Sequence, residues 1–327
     1  MAETGIPIVI VGLGEIGRAI ARAALERPEL HVVAAADPAH AGRTLDELAG
    51  LPAGGLEIGA DLAPALAAAR GGVALVATSS RFDEVRPLLE RAVRAGVSVV
   101  STCEELAYPW LRHGDDADAL DRLCEERDVA VLGTGVNPGF VLDRLAAVLA
   151  QTAGAVRHVR GTRVVDAALR RAALRRKIGA GLDEAAFEEA VDRGEVGHVG
   201  LAESAALAAL GCGLGEFDEV DEEIAPLLAE EDAGGAVPIA RGKVAGVYQV
   251  ARVFKDDREV VRLELTIAVG AEDPRDEVEL DADPPLRLVV PGGIAGDLAT
   301  ANAVANAAAA VTELRGLVTV LDLPAGR

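Results

Sequence analysis

Two adjacent carboxylates, Glu104 and Glu105, follow a short apolar run ending at Val100. A carboxylate just beyond a buried strand can accept a proton from ammonia, an amine or water, and its charge stabilises a neighbouring iminium cation. The same position equally suits a glutamate that caps the following helix start. What such a carboxylate would work beside is set by Gly12-Leu13-Gly14-Glu15-Ile16-Gly17, preceded by the apolar run Ile6–Val11 and followed by Ala19, Ile20 and Ala23 at helical spacing. Strand, glycine turn and helix in this order suit a dinucleotide pyrophosphate: Gly12 permits the tight turn, Gly14 lets backbone N–H groups approach the phosphates, and Gly17 allows close helix packing. Leu30–Ala36 reads as a second strand, and Asp37 follows it where a carboxylate accepts from adenosine ribose hydroxyls. The chemistry expected at this end of the chain is that of a bound NAD(H). Asp37 disfavours a 2′-phosphate, while His40 and Arg43 stand close enough to compensate for one, so use of NADP(H) as well is expected.

These residues need a scaffold. Residues 56–58, 73–77, 98–100 and 129–132 read as strands alternating with helical patterns over 62–69, 83–95 and 115–127, which implies a parallel, doubly wound sheet. Ligands bind beyond the carboxyl ends of such strands. The segments that should converge there are the glycine turn, Asp37, Thr78-Ser79-Ser80, Thr102-Cys103-Glu104-Glu105 and the run from Thr134 to Gly139 containing Asn137. Asn137 can hold a carboxamide or a substrate oxygen, or serve only its own turn. Tyr108, Trp110 and Phe140 follow two of these segments, as pocket walls or as core.

From Val141 the pattern changes. Long β-like runs over 156–165, 243–254, 260–269 and 278–290 alternate with helices near 141–151, 183–193 and 201–210, which reads as a second α+β domain with a largely antiparallel sheet. The expected division is a dinucleotide-binding Rossmann domain over 1–140, joined by an Ala-rich helix at 297–314 within a returning segment 297–327, and a substrate and oligomerisation domain over 141–296. His198 lies in a glycine-rich stretch, able to close over a site or to serve a structural hydrogen bond.

Composition excludes several classes. Half of the residues are hydrophobic and 2% aromatic, so a large core must be aliphatic. The formal net charge of −21 argues against nucleic acid and anionic membranes as partners. One basic cluster, Arg170-Arg171 with Arg175-Arg176-Lys177, stands against that background, as a solvated face or an anion site. Cys103, Cys124 and Cys212 show neither CxxC spacing nor a histidine pair, so no metal site and no disulfide framework are expected, and a cytoplasmic setting is. The N-terminus shows no basic n-region and no segment offers about 18 consecutive lipid-compatible residues, so neither secretion nor membrane insertion is expected.

The first half resembles the Rossmann domains of dihydrodipicolinate-reductase-like proteins, without the paired histidines of true reductases. Arg163-Val164-Val165-Asp166-Ala167, Lys177-Ile178-Gly179-Ala180-Gly181-Leu182, Gly197-His198-Val199-Gly200-Leu201 with Glu203-Ser204, Gly296 to Ala301, and Gly316-Leu317-Val318-Thr319 resemble the 2,4-diaminopentanoate dehydrogenase family, which includes native amine dehydrogenases. The resemblance covers nearly the whole chain. It implies reductive amination of small ketones or aldehydes with ammonia, with Glu104 as the catalytic carboxylate and with the segment around Asn137 and the residues near Arg163, Asp166 and His198 in the substrate pocket, beside the Tyr108 and Phe140 read from their positions. A diamino-acid dehydrogenase is the alternative and requires an inward arginine such as Arg163 or Arg170. A dinucleotide-binding sensor without turnover has no use for a proton acceptor at that edge. A two-fold homodimer is expected, since antiparallel sheets often pair across such an axis.

Overall fold

The computed structural model describes residues 5–168, 176–232 and 238–326. The chain divides into two units, Met1–Phe140 with Ala295–Arg327, and Val141–Ile294.

The first unit is built on a seven-stranded parallel sheet. In chain order its strands are β1 (Ile6–Val11), β2 (Leu30–Ala36), β3 (Ile58–Gly59), β4 (Val73–Val76), β5 (Ser98–Ser101), β6 (Ala130–Gly133) and β13 (Gly316–Val318). Their spatial order is β13-β6-β5-β4-β1-β2-β3, so the order reverses between β1 and β4. Near-continuous Val, Ile, Leu and Ala runs make these strands because both faces are covered. Ile8, Ile10 and Leu75 are fully buried, and each contributes about 1.5–3 kcal/mol relative to exposure. The helices are α1 (Glu15–Leu25), α2 (Leu45–Ala49), α3 (Leu62–Ala68), α4 (Phe82–Arg94) and α5 (Trp110–Arg127). With the aromatic scarcity read from the sequence, Phe82 is among the largest side chains wholly inside.

Three local features differ from the sequence expectation. Helix α5 begins at Trp110, ahead of the expected 115, and its backbone leaves helical geometry at His113 (φ −134°, ψ 39°). The short α2 was not anticipated; Thr44 caps it and Gly50 ends it in the left-handed region. Strand β13 is only three residues long, too short for any periodicity to announce it.

The Ala-rich stretch forms a helix over Gly296–Val311, here α9 once the second unit's helices are counted. It packs on α1 and on β4 and β5. Asn302 and Asn306, four apart, both accept hydrogen bonds from the Arg27 guanidinium at the end of α1. The shortest of these is 2.6 Å.

The second unit carries β7 (His158–Asp166), β8 (Glu219–Leu228), β9 (Val244–Lys255), β10 (Arg258–Ala268), β11 (Arg275–Asp281) and β12 (Leu286–Pro291), with α6 (Arg144–Ala150), α7 (Glu184–Asp192) and α8 (Leu201–Gly211). The sheet order is β12-β11-β7-β10-β9-β8. All neighbours are antiparallel except β7 and β10. The run expected as one strand over 278–290 is a hairpin, broken where Pro284 and Pro285 withdraw two backbone donors. Strand β8 escaped the sequence reading because acidic residues interrupt its alternation and, as an edge strand, it buries none of its residues fully.

Candidate functional site

Parallel strands place all their carboxyl ends on one edge, and the backbone ladder continues past them. Gly12 N donates to Ala36 O, Ala77 N to Val11 O, Thr102 N to Val76 O and Thr134 N to Ser101 O, each near 3.0 Å. The glycine turn, Asp37, Thr78-Ser79-Ser80, Thr102 to Glu105 and Thr134 to Gly139 therefore lie side by side in the order expected from topology.

Each fingerprint glycine has its own reason. Gly12 has φ +83°, and a Cβ there would stand 2.5 Å from Ala77 O. At Gly17 a Cβ would stand 1.9 Å from Gly12 O. At Gly14 a Cβ meets nothing within 4 Å. The first two are required by the protein's own packing, whereas Gly14 opens onto free space at the N-terminus of α1. That end has no side-chain cap, and its dipole favours an anion. Glu15 is exposed and Ile16 half-buried beside it. These residues fit a pyrophosphate. Leu13 takes part differently, because its N–H is already donated to Asp37 Oδ2 at 2.6 Å. The other Asp37 oxygen accepts from Ala39 N at 2.8 Å, so the carboxylate is fixed between the turn and the end of β2. Arg43 is exposed and pairs with Glu47 at 3.3 Å.

Beyond β4, Thr78 is exposed, and Ser79 Oγ donates to Glu84 while accepting from Arg81 N. Ser80 O accepts from Glu105 N.

The two glutamates part company. Glu105 is 3% exposed. Its carboxylate takes Phe82 N at 2.7 Å, the Arg81 guanidinium at 3.0 Å and His113 Nε2 at 3.3 Å. The capping role therefore falls to Glu105, and it caps α4 rather than the helix that follows. Glu104 is half-buried at the start of a 3-10 turn, Glu105–Ala107, just beyond β5. Cys103 between strand and turn is buried, and burial pushes its thiol up to about 12, so it is no thiolate at neutral pH. Tyr108 and Trp110 contact each other with ring centroids 5.7 Å apart, and burial pushes the Tyr108 phenol up.

Asn137 is 7% exposed in the loop after β6. Thr300 of α9, absent from the sequence reading of the site, holds that loop: its Oγ1 accepts from Val136 N at 3.1 Å. Phe140, at the end of the first unit's leading segment, is 39% exposed. Among the described residues no cluster of His, Cys, Asp and Glu fits a metal ion, and no helix is long and apolar enough to cross a membrane.

In the second unit, Arg163 is buried and donates to Asp276 Oδ1 at 2.6 Å and to Ile294 O at 2.9 Å. Asp276 is also buried and takes Ile294 N at 2.6 Å. The Arg163 charge is thus met by Asp276 within the second unit. Replacing Arg163 with Met would leave a buried carboxylate without its cation, and a loss of about 3–5 kcal/mol is expected, read as a shift of the urea unfolding midpoint. Asp166 Oδ1 accepts from Ala168 N and Gly270 N, closing turns at the end of β7. His198 is half-buried, and its backbone is bracketed by the Gln249 side chain, which accepts from His198 N and donates to His198 O, both at 2.8 Å. A glutamine within the apolar run of β9 was the available signal for this bracket. Arg170, Arg171 and Arg175 lie outside the described residues.

The 2,4-diaminopentanoate dehydrogenase of Acetoanaerobium sticklandii is 25% identical over 98% of this chain and 94% of its own. A 4-hydroxy-tetrahydrodipicolinate reductase of Moorella thermoacetica is 34% identical over 42% of this chain and 48% of its own. The solved amine dehydrogenase of Mycobacterium smegmatis shares the fold, with a TM-score of 0.82 at 23% identity, over 98% of this chain and 96% of that one. The model of the 2,4-diaminopentanoate dehydrogenase C-terminal domain matches residues 140–327, more than half of the sequence, and the chain belongs to that family.

Proposed function

We propose that this protein is an NAD(P)-dependent amine dehydrogenase that reductively aminates small ketones or aldehydes with ammonia. The observation that carries the reading is Glu104, a carboxylate beyond β5 on the same sheet edge as the glycine turn, in a chain of this family. The reaction consumes carbonyl compound, ammonia, NADH and a proton, and yields amine, water and NAD+. Glu104 accepts a proton from the nitrogen as the C–N bond forms, the consumed proton arrives from solvent on the carbonyl oxygen to make the hydroxyl, and Glu104 returns its own proton as that hydroxyl leaves as water. Its regained negative charge then faces the iminium carbon and nitrogen. The reduced nicotinamide supplies the hydride that completes the amine. Gly14, Glu15, Ile16 and Gly17 hold the pyrophosphate by their backbone; Gly12 shapes the turn that presents them and Leu13 ties it to Asp37, with Thr78, Ser79, Ser80, Thr102 and Asn137 along the same edge. Tyr108 and Phe140 are the first unit's pocket residues in this proposal.

The alternative, a diamino-acid dehydrogenase, requires a cation for the substrate carboxylate. Of the two arginines named for that role, Arg163 is paired with Asp276 and Arg170 lies outside the described residues. Purified protein with NADH and cyclohexanone, a short aldehyde or a 2-oxo acid, each with and without ammonium, separates the two. Ammonium-dependent NADH oxidation with the first two substrates supports the proposal. Activity confined to amino-acid-type substrates overturns it in favour of the alternative.

Asp37 makes NADH the preferred cofactor, with Arg43 and His40 permitting some NADPH use. The expected ratio of dissociation constants is about tenfold, or 1.4 kcal/mol, and Asp37→Ala narrows it in fluorescence titrations. NADPH binding as tightly as NADH to the unaltered protein would refute this.

The proposal places the enzyme in the cytoplasm, supported by three buried, unbridged cysteines, and as a homodimer. One face of the second sheet alternates Arg160, Arg275 and Arg287 with Glu264, Glu277 and Glu279. Such balance in a chain of net charge −21 suits a second copy, since like-charged surfaces elsewhere would repel. Sedimentation at the mass of one chain would contradict the dimer.

A further inference from the structure

We propose that Glu105 is the positioning residue that holds the segment carrying Glu104 at the sheet edge, by clamping it to the start of α4 and to the bend in α5. The inference rests on the role given to Glu104 above, and its structural half stands on geometry alone.

A carboxylate that is 3% exposed is costly unless its lone pairs are met. Here one oxygen takes the Arg81 guanidinium at 3.0 Å, and the other takes Phe82 N at 2.7 Å and His113 Nε2 at 3.3 Å. The backbone of the same residue donates to Ser80 O at 3.3 Å. Helix α4 has no cap from its own N-cap residue, Arg81, so the cap is imported from the neighbouring strand's exit. His113 sits where α5 leaves helical geometry, with its ring centroid 5.1 Å from that of Phe82. One side chain thus joins the exits of β4 and β5 and the first turn of α5.

Adjacent residues in a tight turn point apart, so fixing Glu105 inward fixes where Glu104 stands. A group that exchanges protons with a reacting atom must be held to within about half an ångström, and a misplacement of about 1 Å costs on the order of a hundredfold in rate. A surface cap would need neither the burial nor the convergence of three elements.

The test compares wild type, Glu104→Gln, Glu105→Gln and Glu105→Ala by amide hydrogen exchange, NADH titration and ammonium-dependent turnover. Glu105→Gln keeps an acceptor for Phe82 N but turns an amide donor toward Arg81, so it retains the volume without the clamp. The expected result is faster exchange confined to peptides spanning 78–82 and 102–113, and a ten- to hundredfold lower kcat with the dissociation constant for NADH unchanged within twofold. Glu105→Ala should do the same more strongly; should it fail to fold, Glu105→Gln decides alone. Unchanged exchange over 102–108 in Glu105→Gln overturns the clamp. Turnover within twofold of wild type, with Glu104→Gln inactive, overturns the positioning role. A wild type that shows no ammonium-dependent turnover overturns the proposed function instead, while the exchange data still decide the clamp.

Discussion

Glu104→Ala should lower ammonium-dependent turnover by about 10²–10⁴-fold while leaving NADH affinity within twofold of wild type. The magnitude is that of losing a positioned proton acceptor, and the split between binding and turnover follows from location. Glu104 belongs to the exit of β5, whereas the glycine turn belongs to the exit of β1, with β4 between them. Glu104→Gln should be nearly as impaired, since an amide keeps the shape but neither accepts the proton nor carries the charge that faces an iminium. Steady-state kinetics with fluorescence titration of NADH checks both variants. Retention of near wild-type turnover in either one would remove Glu104 from the chemistry.

The second large effect separates a glycine the fold requires from one the ligand requires. In Gly17→Ala the new Cβ would stand 1.9 Å from Gly12 O, and Gly12 is itself tied to the sheet through its N–H to Ala36 O. Backbone must move against backbone, so a destabilisation at or above the usual 1–3 kcal/mol of overpacking is expected, together with at least a hundredfold weaker NADH binding. In Gly14→Ala the Cβ enters open space, and the backbone there, φ −62° and ψ −167°, is one that alanine adopts. Stability should stay within about 1 kcal/mol of wild type, in either direction, while NADH binding weakens at least tenfold. Thermal unfolding of the free protein beside NADH titration measures both halves. If Gly14→Ala bound NADH as wild type does, the pyrophosphate would not lie where the glycine turn implies.

These contrasts show where the sequence was legible. The glycine turn could be read because a backbone constraint leaves a residue type behind it: a left-handed φ at Gly12 and a contact at Gly17 that no side chain survives. The parallel strands could be read because strands buried on both faces leave apolar runs. The convergence of Asp37, Thr78 to Ser80, Thr102 to Glu105 and Asn137 followed from those strands being parallel. Other features left no local mark. Arg163 meets Asp276 across 113 positions, and nothing near either residue names the other. Glu105 looks like its neighbour in one dimension; Phe82, Arg81 and His113, which distinguish it, arrive from two other elements. Thr300 reaches the Asn137 loop from 164 positions away. Edge strand β8 and the three-residue β13 bury too little or run too briefly to impose a period of two.

Hydride is expected to pass to a carbon bearing nitrogen. This transfer is tested most directly by incubating the protein with cyclohexanone, ammonium and NADH dideuterated at nicotinamide C4, and weighing the products by mass spectrometry. The expected product is cyclohexylamine carrying one deuterium at the amine-bearing carbon, absent without ammonium and strongly reduced in yield in Glu104→Ala. Deuterated cyclohexanol, or no deuterium in any product under conditions where NADH binds, would contradict this transfer.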